Sequence, residues 1–189
     1  MDRLTFDIFI PDKKRFRLTP NWIMIIFGFV PILILAIIEG NIGGRPNAFE
    51  AMYFTCIFLL IIYYLITSFF KYQPLNGKME GKVEFKDDRI IVNAEEFELK
   101  RFTSLDFSFS DYYGKPSTNG RDFNPKISQG VGNNISFTYD NGNEHLIWFR
   151  FQGEHSYLSI SPFINEAVKA GKIHIYRAED LIGKENILK

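Results

Sequence analysis

The side chains best suited to metal binding or nucleophilic chemistry are few: three histidines and one cysteine in 189 residues. His145, His155 and His174 lie ten and nineteen residues apart. Histidines that share a zinc ion usually stand about three to five residues apart. Cys56 falls inside an uncharged apolar run and has no paired thiol. The phosphate-cradling glycine loop, the dinucleotide fingerprint and the nucleophile elbow are all missing. Asp140-Asn141-Gly142-Asn143-Glu144 begins like a calcium loop but lacks the later glutamate and its spacing. Asn-Gly between two alternating runs is better explained as a hairpin turn, since both residues tolerate positive φ. These absences lead us to expect a protein that is not an enzyme and needs no metal or cofactor.

Charge narrows the partners. Twenty-two basic residues balance twenty-two acidic ones, so there is no electrostatic footprint for nucleic acid. The first hairpin after the apolar runs carries Lys86 and Arg89, but Asp87 and Asp88 cancel them. A phosphoinositide site needs a net cluster of cations there, so none is expected. One basic cluster stands out, Lys13, Lys14, Arg15 and Arg17. These residues are candidates for contact with anionic lipid, at about 1 kcal/mol per charge near the surface. Setting membrane topology is a sufficient role for them by itself.

The remaining candidate surface is a long segment, DYYGKPSTNGRDFNPKISQGVGNN at residues 111–134. Loops of this length are uncommon in compact domains, and are functional or disordered when they occur. Tyr112, Tyr113, Lys115, Arg121, Phe123 and Lys126 combine rings with scattered cations, a composition suited to binding a protein or a lipid headgroup. The same segment also reads as a solvated crossover between two halves of a sheet.

The elements that position these residues divide into two kinds. Trp22 to Ile38 is a 17-residue run without charge, and Ala51 to Phe70 is a 20-residue one. At about 1.5 Å per residue the second run matches the hydrocarbon thickness of a bilayer. We read transmembrane helices at 20–39 and 51–71, joined by an external loop at 40–50. Thr19-Pro20 predicts the first helix start, and Asn47 with Glu50 predicts a capping box at the second. Pro31 predicts a break in the first helix that leaves the carbonyl one turn back without its partner. Five basic residues precede the first span and only Arg45 lies in the link. The positive-inside rule then puts both termini in the cytoplasm of an inner-membrane, multi-pass protein.

Beyond residue 75 the period changes to two. Strands are expected from Gly77 to Phe85, Arg89 to Val92, Glu96 to Lys100, about Leu105 to Phe109, Ile135 to Tyr139 and Glu144 to Phe151. A helix follows, with Tyr157, Ile160, Ile164, Ala167 and Val168 on one face, either a kink at Pro162 or a fresh start capped by Ser161, and a stop at Gly171. Lys172 to Tyr176 reads as a short extended piece, and 177–189 as a polar tail. The class is α+β: an antiparallel meander with a C-terminal amphipathic helix.

This order, together with the run FELKRFTSLDFSFSDYYGK, resembles bacterial membrane proteins that carry a pleckstrin-homology-like domain after two transmembrane helices. The resemblance covers about residues 20 to 170 and implies a domain at 75–176. That fold usually has seven strands, one more than the soluble part supplies. Leu4, Phe6, Ile8 and Ile10 alternate in the N-terminal segment, residues 1–19. It either adds the missing strand at a sheet edge, or remains a tail or a lipid-surface segment. The expected function is a membrane-anchored module that binds a protein or a second copy of itself beside the lipid bilayer. The alternative is a small transport or lipid-handling component that acts as an oligomer through Pro31, Tyr63 and Tyr64. No charge lies within either apolar run, 22–38 or 51–70, which argues against an ion pathway.

Overall fold

The computed structural model describes residues 5–13, 18–39, 48–117 and 123–187. The chain forms two compact units. One comprises Met1–Lys13, Leu75–Lys115 and Ser128–Lys189, and the other Lys14–Pro74 with Pro116–Ile127. Lys14, Arg15, Arg17, Arg121, the Asn47 capping box and the link at 40–47 fall outside the described residues.

The first unit is α+β. Its strands are β1 (Thr5–Pro11), β2 (Gly77–Lys86), β3 (Arg89–Val92), β4 (Glu95–Glu98) and β5 (Phe102–Ser108). They continue with β6 (Tyr113–Pro116), β7 (Ile127–Gln129), β8 (Asn133–Tyr139) and β9 (Glu144–Phe149). Seven of them form one antiparallel sheet in the order β4-β3-β2-β1-β9-β8-β5. β6 and β7 make a separate two-stranded ribbon.

The N-terminal segment does supply the seventh strand, but not at an edge. β1 pairs with β2 on one side, Phe6 opposite Val83, and with β9 on the other, Ile8 opposite Phe149. It joins two three-stranded meanders that would otherwise each have an open edge. Its alternation gives it one core-facing side: Phe6 and Ile8 both enter the core. The helical segments therefore do not precede the sheet. They occupy the chain between its paired strands β1 and β2, which separate at Pro11 and Gly77 with a further bond from Asp12 N–H to the Asn76 carbonyl at 2.9 Å.

Along β1 and β2 the register slips by one residue between Asp7 and Phe9. Gly81 sits at this bulge with φ +90°, and a Cβ there would collide with the Asn93 side chain. Asn93 Oδ1 instead accepts from Lys82 N–H at 2.9 Å. The tight turn with two positive φ values is at Asn93 (50°) and Ala94 (75°), not at Asn141-Gly142. There only Gly142 is left-handed, at φ +82°, and Asn141 Oδ1 accepts from Asn143 N–H.

The core is rich in phenylalanine. Phe102 stacks on Phe137 at 4.8 Å, and Phe149 lies within 5.3–5.7 Å of Phe6, Phe85 and Phe151. Each ring withdrawn from water contributes about 1.5–3 kcal/mol. A 3₁₀ turn at Ser156–Ile160 leads into the helix at Ser161–Lys169, called α4 below, which buries Phe163, Ile164 and Ala167. Pro162 stands in its first turn as expected, but Ser161 is not its cap: the hydroxyl is buried and makes no hydrogen bond. Gly171, at φ +67°, ends it.

The expected extended piece and polar tail are instead mostly a second helix, α5 (Ile175–Ile182), whose Ala178, Leu181 and Ile182 are buried. Three apolar residues at helical spacing fix this segment to the core despite its charges.

The rim of the sheet carries exposed ion pairs. Arg101 grips Asp140 through two bonds, 2.6 and 2.9 Å, and lies 4.5 Å over the Tyr139 ring. The hydrogen bond from Arg101 holds the Asp140 carboxyl below the usual carboxylate range. Arg89 does the same for Asp88, and Lys100 for Glu98.

The second unit is helical. Its first helix has three parts: α1 (Pro20–Ile23), a π-helical turn at Met24–Phe29, and α2 (Val30–Glu39). The other is α3 (Ala48–Phe70). Thr19 Oγ1 caps the first, accepting from Trp22 N–H at 3.5 Å. Among the described residues one helix, Glu50–Phe70, is long and apolar enough to cross a membrane. Pro20–Ile34 is apolar but shorter.

The break expected at Pro31 takes the form of that π-helical turn, where Val30 N–H reaches back to the Ile25 carbonyl. An α-helical partner for the Phe27 carbonyl would be the amide of residue 31, which proline lacks. Tyr53, on α3, supplies the proton instead: its hydroxyl donates to the Phe27 carbonyl at 2.7 Å.

Candidate functional site

The 111–134 segment separates into a base and a tip. Its base is built by polar side chains that stop the strands and satisfy turning backbone. Asn133 is fully buried at the start of β8. Its Oδ1 accepts from the amides of Ser110 and Asp111, each at 3.0 Å, and its Nδ2 donates to the Gly130 carbonyl. Asp111 Oδ2 accepts from Ser128 Oγ at 2.6 Å and from Gly132 N–H at 3.1 Å. Gly130, at φ +74°, lies against the Tyr113 amide and the Phe151 carbonyl, where a Cβ would collide.

Two backbone bonds tie the ribbon to the end of β9: Tyr113 N–H to Phe151 O at 2.9 Å, and Phe151 N–H to Gly130 O at 3.0 Å. Groups buried this way lose little, because each meets a partner.

The candidate residues do not come together as one surface. Tyr112 is half-buried against the phenylalanine core, with Lys115 Nζ 5.8 Å above its ring and donating to the Ser110 carbonyl at 2.5 Å. Tyr113 is exposed at 37%. Arg150 stacks over its ring at 4.4 Å and reaches Gln129 Oε1 at 3.5 Å.

Phe123 and Lys126 lie in the tip, which belongs to the helical unit. Lys126 is only 4% exposed and does not form part of an open basic surface. Its amide donates to the Ser68 carbonyl at 2.8 Å, and the next amide, of Ile127, to the Lys71 carbonyl at 3.2 Å. Gln73 N–H completes this contact on the Ile127 carbonyl at 2.7 Å. Phe123, half-buried, donates its amide to Asn21 Oδ1 at 2.8 Å. The tip thus bonds to the start of the first helix and the end of α3. The last carbonyls of a helix have no partner within it, and this loop provides two. Lys13, on the sheet unit, is exposed.

Sequence reasoning missed three participants. Asp111 and Asn133 read as ordinary loop amides and acids, although asparagine and aspartate are suited to bonding turning backbone. Arg150 lies in the Glu144–Phe151 run, whose pattern does not show that its cation stacks on a loop ring. Asp111 with Ser128 does not form a nucleophile, because no histidine joins them. His145 instead stacks on Phe137 at 4.8 Å. No group of histidine, cysteine and carboxylate side chains among the described residues could hold a metal ion. No protein-family model, curated protein or solved structure matches the chain.

Proposed function

We propose that this protein is a membrane-anchored, non-enzymatic interaction module. In this reading the two apolar helices cross the inner membrane and hold the sheet unit at its cytoplasmic face. There it binds another protein or a second copy of itself. The observation that carries the reading is the insertion of the helices between paired strands β1 and β2. Both ends of the helical insertion then connect to one strand pair, β1 and β2. Only 6% of the Glu50–Phe70 window is buried within the protein, which suits a lipid-facing helix.

A pleckstrin-homology-like domain is the finer reading of the sheet. Seven antiparallel strands and a covering C-terminal helix support it. The 111–134 segment then offers Tyr113 with Arg150 as its contact point. Transport has less support, because the carbonyl expected to be free at Pro31 already accepts from Tyr53.

Impermeant thiol labelling of whole cells tests the anchor. In a Cys56→Ser background, Asn41→Cys should label from outside, and Glu154→Cys only after permeabilisation. Labelling of both from outside, or recovery of the chain in the soluble fraction, would overturn the proposal.

A further inference from the structure

A sheet edge exposes unpaired N–H and C=O groups and invites another strand. This sheet has two edges, β4 and β5, and treats them differently. β4 is four residues long and reads Glu95-Glu96-Phe97-Glu98. A second copy pairing there would bring glutamates toward glutamates. β5 is seven residues long and carries one charge, Asp106. Its own protection is limited to that charge and to a register shift between Phe102 and Ser104.

Further protection comes from the C-terminal segment. Lys172 Nζ donates to the Phe102 carbonyl at 2.6 Å, at the start of β5. Arg177 Nη2 donates to the Phe107 carbonyl at 2.5 Å near its end, and Arg177 Nε pairs with Asp106 Oδ1 at 3.0 Å. Residues 172–177 therefore follow β5 from one end to the other. They do so through side chains, without forming a strand on it. The amides of Lys172 and Ile173 bond to the Ala167 carbonyl instead. Two long side chains hold the cover, and α5 keeps it docked by burying Ala178, Leu181 and Ile182.

We propose that residues 172–177 are a removable guard over the β5 edge, and that the uncovered edge pairs with β5 of a second copy. This names the self-association surface of the function proposed above, and stands whether or not the helices cross a bilayer. The occupant follows from the strand itself. An antiparallel β5 pair centred on Leu105 is two-fold symmetric, and places Ser104 opposite Asp106 and Thr103 opposite Phe107. No like charges meet in that register, whereas β4 would oppose its own glutamates.

The test uses the full chain in detergent. Lys172→Ala/Arg177→Ala should self-associate at least tenfold more tightly than the parent in sedimentation equilibrium. Amides at 102–108 should gain protection from hydrogen exchange as concentration rises. Arg177→Lys, which keeps the charge but loses the fork, should fall between. If the double variant does not fold, Asp106→Asn loosens the guard from the strand side and should shift association in the same direction. Unchanged association, or association without protection at 102–108, would overturn the proposal. Loss of this effect leaves the thiol-labelling result untouched, so failure of the edge and failure of the anchor are distinguishable.

Discussion

The two units satisfy the same backbone rules by opposite means. In the sheet unit, rings fill the space between the sheet and its covering helices, and Phe102, Phe107, Phe137, Phe149 and Phe163 are all at most 2% exposed. Hydrophobic burial dominates there, and polar bonds fix register and turns. In the helical unit large apolar side chains are exposed: Phe58 at 62%, Phe69 at 59% and Phe70 at 77%. Burial within the chain cannot hold these helices. A few hydrogen bonds do the specifying: Tyr53 to Phe27, Phe123 to Asn21, Lys126 to Ser68. The same residue type, phenylalanine, is therefore worth very different amounts in the two units.

The largest expected effect follows directly. Phe149→Ala should destabilise the sheet unit by about 3–5 kcal/mol, the usual cost of removing a buried ring. Phe58→Ala should change helical stability by less than about 0.5 kcal/mol in detergent, as exposed substitutions do. Denaturant titration of each variant, followed by tryptophan fluorescence and circular dichroism, measures both. Equal costs would break the contrast.

A smaller effect sharpens it from the polar side. Tyr53→Phe removes the proton given to the Phe27 carbonyl. A typical intramolecular hydrogen bond contributes a net of about 0.5–1.5 kcal/mol. The loss should fall in that range. If the hydroxyl replaces the amide that Pro31 lacks, Pro31→Ala restores an amide and the cost of Tyr53→Phe should shrink. Unfolding in mixed detergent gives the four free energies of this cycle. An undiminished cost in the Pro31→Ala background would show that the hydroxyl has another role.

Legibility followed the same division. Period-two apolar spacing located the strands well, because Phe97, Leu105, Phe107, Ile135, Phe137 and Phe149 turn one face to a core. β1 was readable as a strand for the same reason. Its place at the centre was not, since pairing of Thr5–Pro11 with strands some 70 and 140 residues later depends on contacts that no local pattern encodes. α5 was lost because Arg177, Glu179 and Asp180 mask a core-facing stripe of only three residues. The loop was misread in its tip: Lys126 looks like a surface cation in sequence, but its backbone is fixed to a helix end and its side chain is buried. Asn133 gave no signal of burial, because an amide is as common in solvated turns as in buried ones.

The smallest effect expected is on acid stability, and it belongs to the sheet unit alone. Asp88, Glu98 and Asp140 are each held below the ordinary carboxylate range by a hydrogen-bonded cation. A carboxyl more acidic when folded than when unfolded adds stability above its unfolded pKa, and loses it as pH falls through the folded value. For these groups the loss belongs below about pH 4, where free carboxylates titrate. The pairs are exposed, so each contributes little. Arg101→Gln removes the bond that depresses Asp140. The variant should be slightly less stable than the parent at pH 7, and the two should converge as pH approaches 2. Thermal midpoints measured across that range decide the matter. A gap that persists undiminished in acid would mean that Arg101 acts mainly through its stacking on Tyr139, 4.5 Å away, and that ring packing governs even the rim of this unit.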